Sequence, residues 1–177
     1  MKIAVYCGSN LAKNDVYNEA ARELGRWMGQ QGHILVYGGG EAGLMGLVAK
    51  EVFEAGCPVI GVVPENVAFI RDRKNIYVTE LILTPDMSER KKKMFELADA
   101  CIALPGGIGT MDEITEVITL VRIGIADKKS IFYNCNAYYE PMKQMFENMI
   151  KEEFFSEESM RNVLFSGDVK EIEQFLE

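Results

Sequence analysis

One histidine, no C-x-x-C pair and no G-K-[ST] triplet are three shortages that narrow the chemistry of this 177-residue chain before any motif is read. His33 alone excludes a His-rich metal centre and leaves Ser–His or Cys–His catalysis a single candidate base; its position suits the start of a strand. Without G-K-[ST] there is no Walker loop to bring a lysine and magnesium to a triphosphate, which argues against a nucleoside triphosphatase. Cys7, Cys57, Cys101 and Cys135 are scattered in or beside apolar runs and are expected as buried thiols. Positive charge is also short, with 19 Lys and Arg against 27 Asp and Glu, a net charge of -8. Such a surface repels polyanions, so no nucleic-acid partner is expected, and any phosphate must be held locally by backbone N–H groups and one or two cations. No apolar run approaches the roughly 18 residues of a membrane span, and the opening MKIAVYCGS does not read as a secretory signal. A cytoplasmic protein without a membrane partner is the expectation.

Apolar residues make up 48% of the chain, enough to fill the core of one domain, expected to span residues 1–177. Short apolar runs of strand length fall at 3–7, 34–37, 59–63, 78–83, 101–104 and 131–133. Amphipathic segments alternate with them and predict helices near 15–31, 44–55, 86–98, 111–124 and 138–152, with shorter helical pieces near 157–162 and 169–176. Strands that are apolar throughout, alternating with helices, predict a doubly wound, Rossmann-like α/β fold with a mainly parallel sheet covered on both faces. Asp168 is placed to cap the last helix. Residues 64–75, which include Arg71, Asp72, Arg73 and Lys74, show little periodicity and read as a loop bordering the site.

Three segments can carry chemistry. In YGGGEAGLMG, residues 37–46, Gly38, Gly40 and Gly43 satisfy G-x-G-x-x-G between a strand and a helix, the arrangement that brings backbone and helix dipole to a phosphate. The motif follows the second strand, and the acidic partner of a dinucleotide site would have to be Glu65, which weighs against NAD; a glycine-rich turn without a ligand is the plain alternative. In LPGGIGTMDEITE, residues 104–116, Gly106, Gly107 and Gly109 precede Thr110, and Glu113 and Glu116 share a helical face. The spacing Thr110-x-x-Glu113 is also that of a helix capping box. In MSERKKKM, residues 87–94, Met87 and Met94 mark an apolar stripe with Arg90 beside it, and an inward-facing arginine calls for a carboxylate or phosphate partner.

The order YGGG-x-x-GLMG, M-x-x-R-K and PGG-x-GT-x-x-E-x-x-E resembles the LOG family, the cytokinin riboside 5'-monophosphate phosphoribohydrolases, over nearly the whole chain. The resemblance implies hydrolysis of a purine nucleoside 5'-monophosphate (AMP or an N6-modified, cytokinin-type AMP) to free base and ribose 5-phosphate, by a homodimer without a cofactor. It also implies that Arg90 and Glu113 are catalytic, and that Gly8, Ser9, Gly39, Gly40, Met45, Met87, Lys91, Gly106, Gly107, Gly109, Thr110 and Glu116 contact substrate. The older decarboxylase description of this family finds no lysine in an evident pyridoxal phosphate setting here. After Glu116 the family's W-x-Q-L-G-I-H is replaced by Leu120, Arg122, Ile123, Gly124, Ile125 and Ala126, and Asn10 stands where a second serine is common. A carrier of a nucleotide or molybdopterin-like cofactor is the alternative on the same fold.

Overall fold

The computed structural model describes residues 1–66 and 75–177. The loop expected over 64–75 falls mostly outside the described residues. Seven strands form one sheet in the order β4-β3-β2-β1-β5-β6-β7, every neighbouring pair parallel. They are β1 Lys2–Tyr6, β2 Ile34–Tyr37, β3 Val59–Pro64, β4 Glu80–Thr84, β5 Ala100–Ala103, β6 Lys129–Tyr133 and β7 Val163–Ser166. The helices are α1 Asp15–Gln30, α2 Gly43–Glu54, α3 Met87–Leu97, α4 Ile108–Arg122, α5 Glu140–Lys151, the single turn α6 Glu157–Met160, and α7 Val169–Leu176.

Each interior strand alternates its side chains between two cores. Ile3 and Val5 of β1 join the apolar faces of α1, α2 and α7, whereas Ala4 and Tyr6 join those of α3, α4 and α5. This is the expected two-faced α/β sandwich, and Asp168 caps α7 by accepting from Lys170 N–H. The strand β7 is absent from the sequence reading: at the sheet's edge it buries only its end residues Val163 and Ser166, so no alternation announces it. Because the chain runs outward from β1 to β4 and then returns to place β5 on the other side of β1, the strand order reverses at β1/β5. Crevices outside the carboxyl ends of strands form at such a switch point, and three glycine-bearing turns converge there.

Candidate active site

Gly8, just past β1, stitches two of those turns together. Its N–H donates to Pro105 O at 3.1 Å and its carbonyl accepts from Leu44 N–H at 3.2 Å. Gly43 adopts a left-handed backbone, φ 65°, and a Cβ there would run into the Ser9 carbonyl, so α2 begins pressed against the β1 turn. The Ser9 side of this turn is exposed. Gly39, φ 73°, packs where a Cβ would strike Val63, and Gly40 is covered by Met45. Thr110 is buried and tucks under Gly106, while Gly107 and Gly109 border open space beside the exposed Ile108.

Helix α4 starts three residues earlier than the sequence suggested, with Gly107 at its N-cap and no side-chain cap. Thr110 and Glu113 therefore lie inside the helix, and the capping-box reading of Glu113 falls away. Its side chain, 11% exposed, instead meets Arg90, whose Nη1 donates to Glu113 Oε1 at 2.6 Å. Arg90, on α3, is itself buried, and its Nε donates to Val62 O of β3 at 3.1 Å. A Cβ on Gly38 would collide with Arg90 Nη2, so this glycine leaves room for the guanidinium. Burial raises the Glu113 carboxyl above its ordinary value, with Arg90 pulling the other way.

Glu113 opens on a cleft of about 500 Å³ between α3 and α4. Phe95, Val117, Leu120 and Ile125 give it an apolar wall, with Tyr6 from β1 on the sheet side. Glu116 and Lys91 also line it, but Lys91 Nζ lies 2.8 Å from Glu116 Oε2 and 2.9 Å from Asp112 Oδ2, so its charge is already matched. Those two carboxylates raise the Lys91 ammonium above its ordinary value. The loop glycines do not line this cleft; the Arg90–Glu113 pair joins them to it, since Arg90 abuts Gly38 while Glu113 faces the opening.

Some expectations need correction. Met87 begins α3 at 51% exposure, outside the cleft, and does not share the burial of Met94, because a helix's first residue projects beyond the sheet it packs on. Cys101 and Cys135 are buried but Cys7 and Cys57 only half-buried. Burial pushes the Cys101 thiol up to about 12 and Cys135 up to about 11, so neither is a thiolate at neutral pH. His33 precedes β2, at the opposite end of the sheet from the glycine turns. Gly38 and Val62 were missed as contacts of Arg90. An arginine's fit against a glycine is a tertiary fact, although Gly38 stood inside the motif already singled out.

A parallel sheet with its switch point ringed by glycine-lined turns, and a buried Arg–Glu pair at its rim, defines a Rossmann-like α/β protein. The family model described as "Possible lysine decarboxylase" matches residues 45–176. The cytokinin riboside 5'-monophosphate phosphoribohydrolase LOG of Oryza sativa subsp. japonica is 39% identical over 97% of this chain and 70% of its own length. The enzyme of that name from Rhodococcoides fascians is 36% identical over 95% of this chain and 85% of its own. The chain belongs to this family, the LOG family. Among solved structures, the molybdenum cofactor carrier protein of Chlamydomonas reinhardtii shares the fold with a TM-score of 0.72, at 23% identity over 99% of this chain and 97% of that one. The molybdenum cofactor binding protein of Rippkaea orientalis does so at 0.72 and 18%, over 99% and 97%. At these identities the likeness is one of fold.

Proposed function

We propose that the chain hydrolyses the N-glycosidic bond of a purine nucleoside 5'-monophosphate, AMP or an N6-modified AMP of the cytokinin type. Water adds at C1', the C1'–N9 electron pair leaves with the base, and the base takes up a proton, giving free base and ribose 5-phosphate. The observation that carries this reading is the buried Arg90–Glu113 pair facing a cleft next to glycine-lined helix starts. The names of relatives at 36–39% identity support the same reaction.

As the bond breaks, positive charge develops on the sugar, and a fixed carboxylate beside the anomeric carbon lowers that barrier. Glu113 is that carboxylate, stabilising the charge or activating the water, and Arg90 fixes its direction. The amides of Gly106, Gly107 and Gly109, with Thr110, anchor the phosphate, while Gly8, Ser9, Gly39, Gly40 and Met45 shape the rest of the nucleotide site. Glu116 orients the ribose hydroxyls, exchanging its bond to Lys91 for them, and Lys91 then faces the substrate; Met87 contacts it from the rim. The protein works in the cytoplasm as a homodimer.

Incubation with AMP, followed by chromatography, is expected to release adenine and ribose 5-phosphate in equal amounts. Stable nucleotide binding without base release would overturn the hydrolase reading in favour of a carrier.

A further inference from the structure

Three consecutive carbonyls between β5 and α4 are each held by a donor from elsewhere in the chain. Leu104 O accepts from the Tyr139 hydroxyl at 2.7 Å, Pro105 O from Gly8 N–H at 3.1 Å, and Gly106 O from the Tyr138 hydroxyl at 2.6 Å. A planar trans peptide points its C=O and the next residue's N–H in opposite directions. Fixing the Pro105 and Gly106 carbonyls therefore fixes the N–H groups of Gly106 and Gly107. Among the described residues, no protein acceptor takes the N–H of Gly106, Gly107, Ile108, Gly109 or Thr110. Five successive donors thus remain free, and the first two are aimed by bonds made on their far side.

The tyrosine that closes this clamp is itself held. Asn136 and Ala137 take left-handed backbone conformations, φ 50° and 56°, which are costly for residues with a Cβ and turn the chain sharply before Tyr138. The Tyr138 ring sits edge-on to Tyr17 at 5.4 Å and to Tyr139 at 5.0 Å, and the Tyr17 hydroxyl accepts from Asn136 Nδ2 at 3.2 Å. The Tyr139 N–H donates to Asn134 Oδ1 at 2.6 Å. Tyr138 is nevertheless 40% exposed, so its hydroxyl adds little to the core.

We propose that Tyr138 is a positioning residue for the substrate phosphate: its hydroxyl sets the Gly106–Gly107 peptide so that the freed amides face the phosphoryl oxygens, with Tyr139 and Gly8 holding the peptides before it. This rests on the reading of residues 106–110 as the phosphate site. The clamp acts on binding of the phosphate and not on the bond-breaking step, because Tyr138 contacts Gly106 and not the Arg90–Glu113 pair.

Tyr138→Phe keeps the ring and removes only the donor. The dissociation constant for ribose 5-phosphate, measured by calorimetry, and KM for AMP are both expected to rise about three- to tenfold, the scale of one hydrogen bond. On the same scale kcat changes by less than about twofold, and the melting temperature holds. Tyr133→Phe removes a tyrosine hydroxyl that donates to Glu23 on α1 at 2.7 Å, outside the clamp, and is expected to leave both constants at parental values. The proposal is overturned if Tyr138→Phe binds ribose 5-phosphate as the parent does, if Tyr133→Phe weakens it equally, or if the parent binds none. A parent that binds ribose 5-phosphate but frees no base from AMP sinks the hydrolase reading alone, and the binding comparison still decides the clamp.

Discussion

In the reaction proposed above, Glu113 acts as an anion in a place that disfavours anions. Burial raises its carboxyl, the Arg90 guanidinium 2.6 Å away opposes that shift, and the result still lies above the ordinary glutamate value. As pH falls, the protonated form accumulates below this raised value and can neither steady a cationic sugar nor take a proton from water. Turnover is therefore expected to fall on the acid side at a higher pH than an exposed glutamate would give, a profile readable from kcat between neutral pH and the limit of folding. Glu113→Gln, nearly isosteric, is expected to bind AMP like the parent and lose about 10²–10⁴-fold in kcat, the usual worth of such a group. A variant with parental turnover would remove Glu113 from the mechanism. Replacing Arg90 is a harsher change, since it empties the buried pair of one side chain and also removes the bond to Val62 O; breaking a buried pair in this way costs about 3–5 kcal/mol and confuses folding with catalysis.

At the level of elements, the turn from β2 into α2 is shaped by what approaches it. Gly38 gives way to Arg90 from α3, Gly39 to Val63 of β3, and Gly43 to the Ser9 backbone after β1. Gly38→Ala meets only the end of a flexible side chain, so the helix and sheet can absorb it while the guanidinium shifts off Glu113. Misplacement on the order of 1 Å costs about 10²-fold in well-oriented catalysis, so kcat/KM for AMP is expected to drop by about ten- to a hundredfold. The melting temperature should stay within a few degrees of the parent; a stable variant with full activity would show that the Gly38–Arg90 fit is incidental. The capping box that Thr110 and Glu113 could have made does not form. Thr110-x-x-Glu113 has the right spacing, but α4 begins at Ile108, so Thr110 is buried under Gly106 and Glu113 is free to reach α3. Where a helix starts decides which role its residues can play, and spacing alone leaves that open.

For the whole molecule, no described helix is long and apolar enough to cross a membrane. Apolar side chains do reach the surface, Leu81 and Leu83 on the edge strand β4 and Ile123 and Ile125 beyond α4, each at least half exposed. Among the described residues β4 is the last strand of the sheet, and an edge with apolar side chains is a surface proteins commonly cover, in keeping with the homodimer proposed above. Light scattering is expected to give twice the 19.9 kDa chain mass, and a monomer at all concentrations would remove that part of the proposal.

The alternation of short apolar runs with amphipathic segments was enough to specify a parallel sheet with helices on both faces, because burial on two sides leaves a strand no polar positions. Ordered motifs likewise marked Arg90, Glu113 and the glycine turns, since few residue types can approach a phosphate by backbone or meet a buried carboxylate. Edge strand β7, the start of α4 and the exposure of Met87 were decided by packing against neighbours far away in sequence. The same holds for the room Gly38 makes for Arg90, and for the two tyrosines that fold back over residues 104–106. Such contacts depend on where helices and turns come to rest against one another, and no local pattern encodes that.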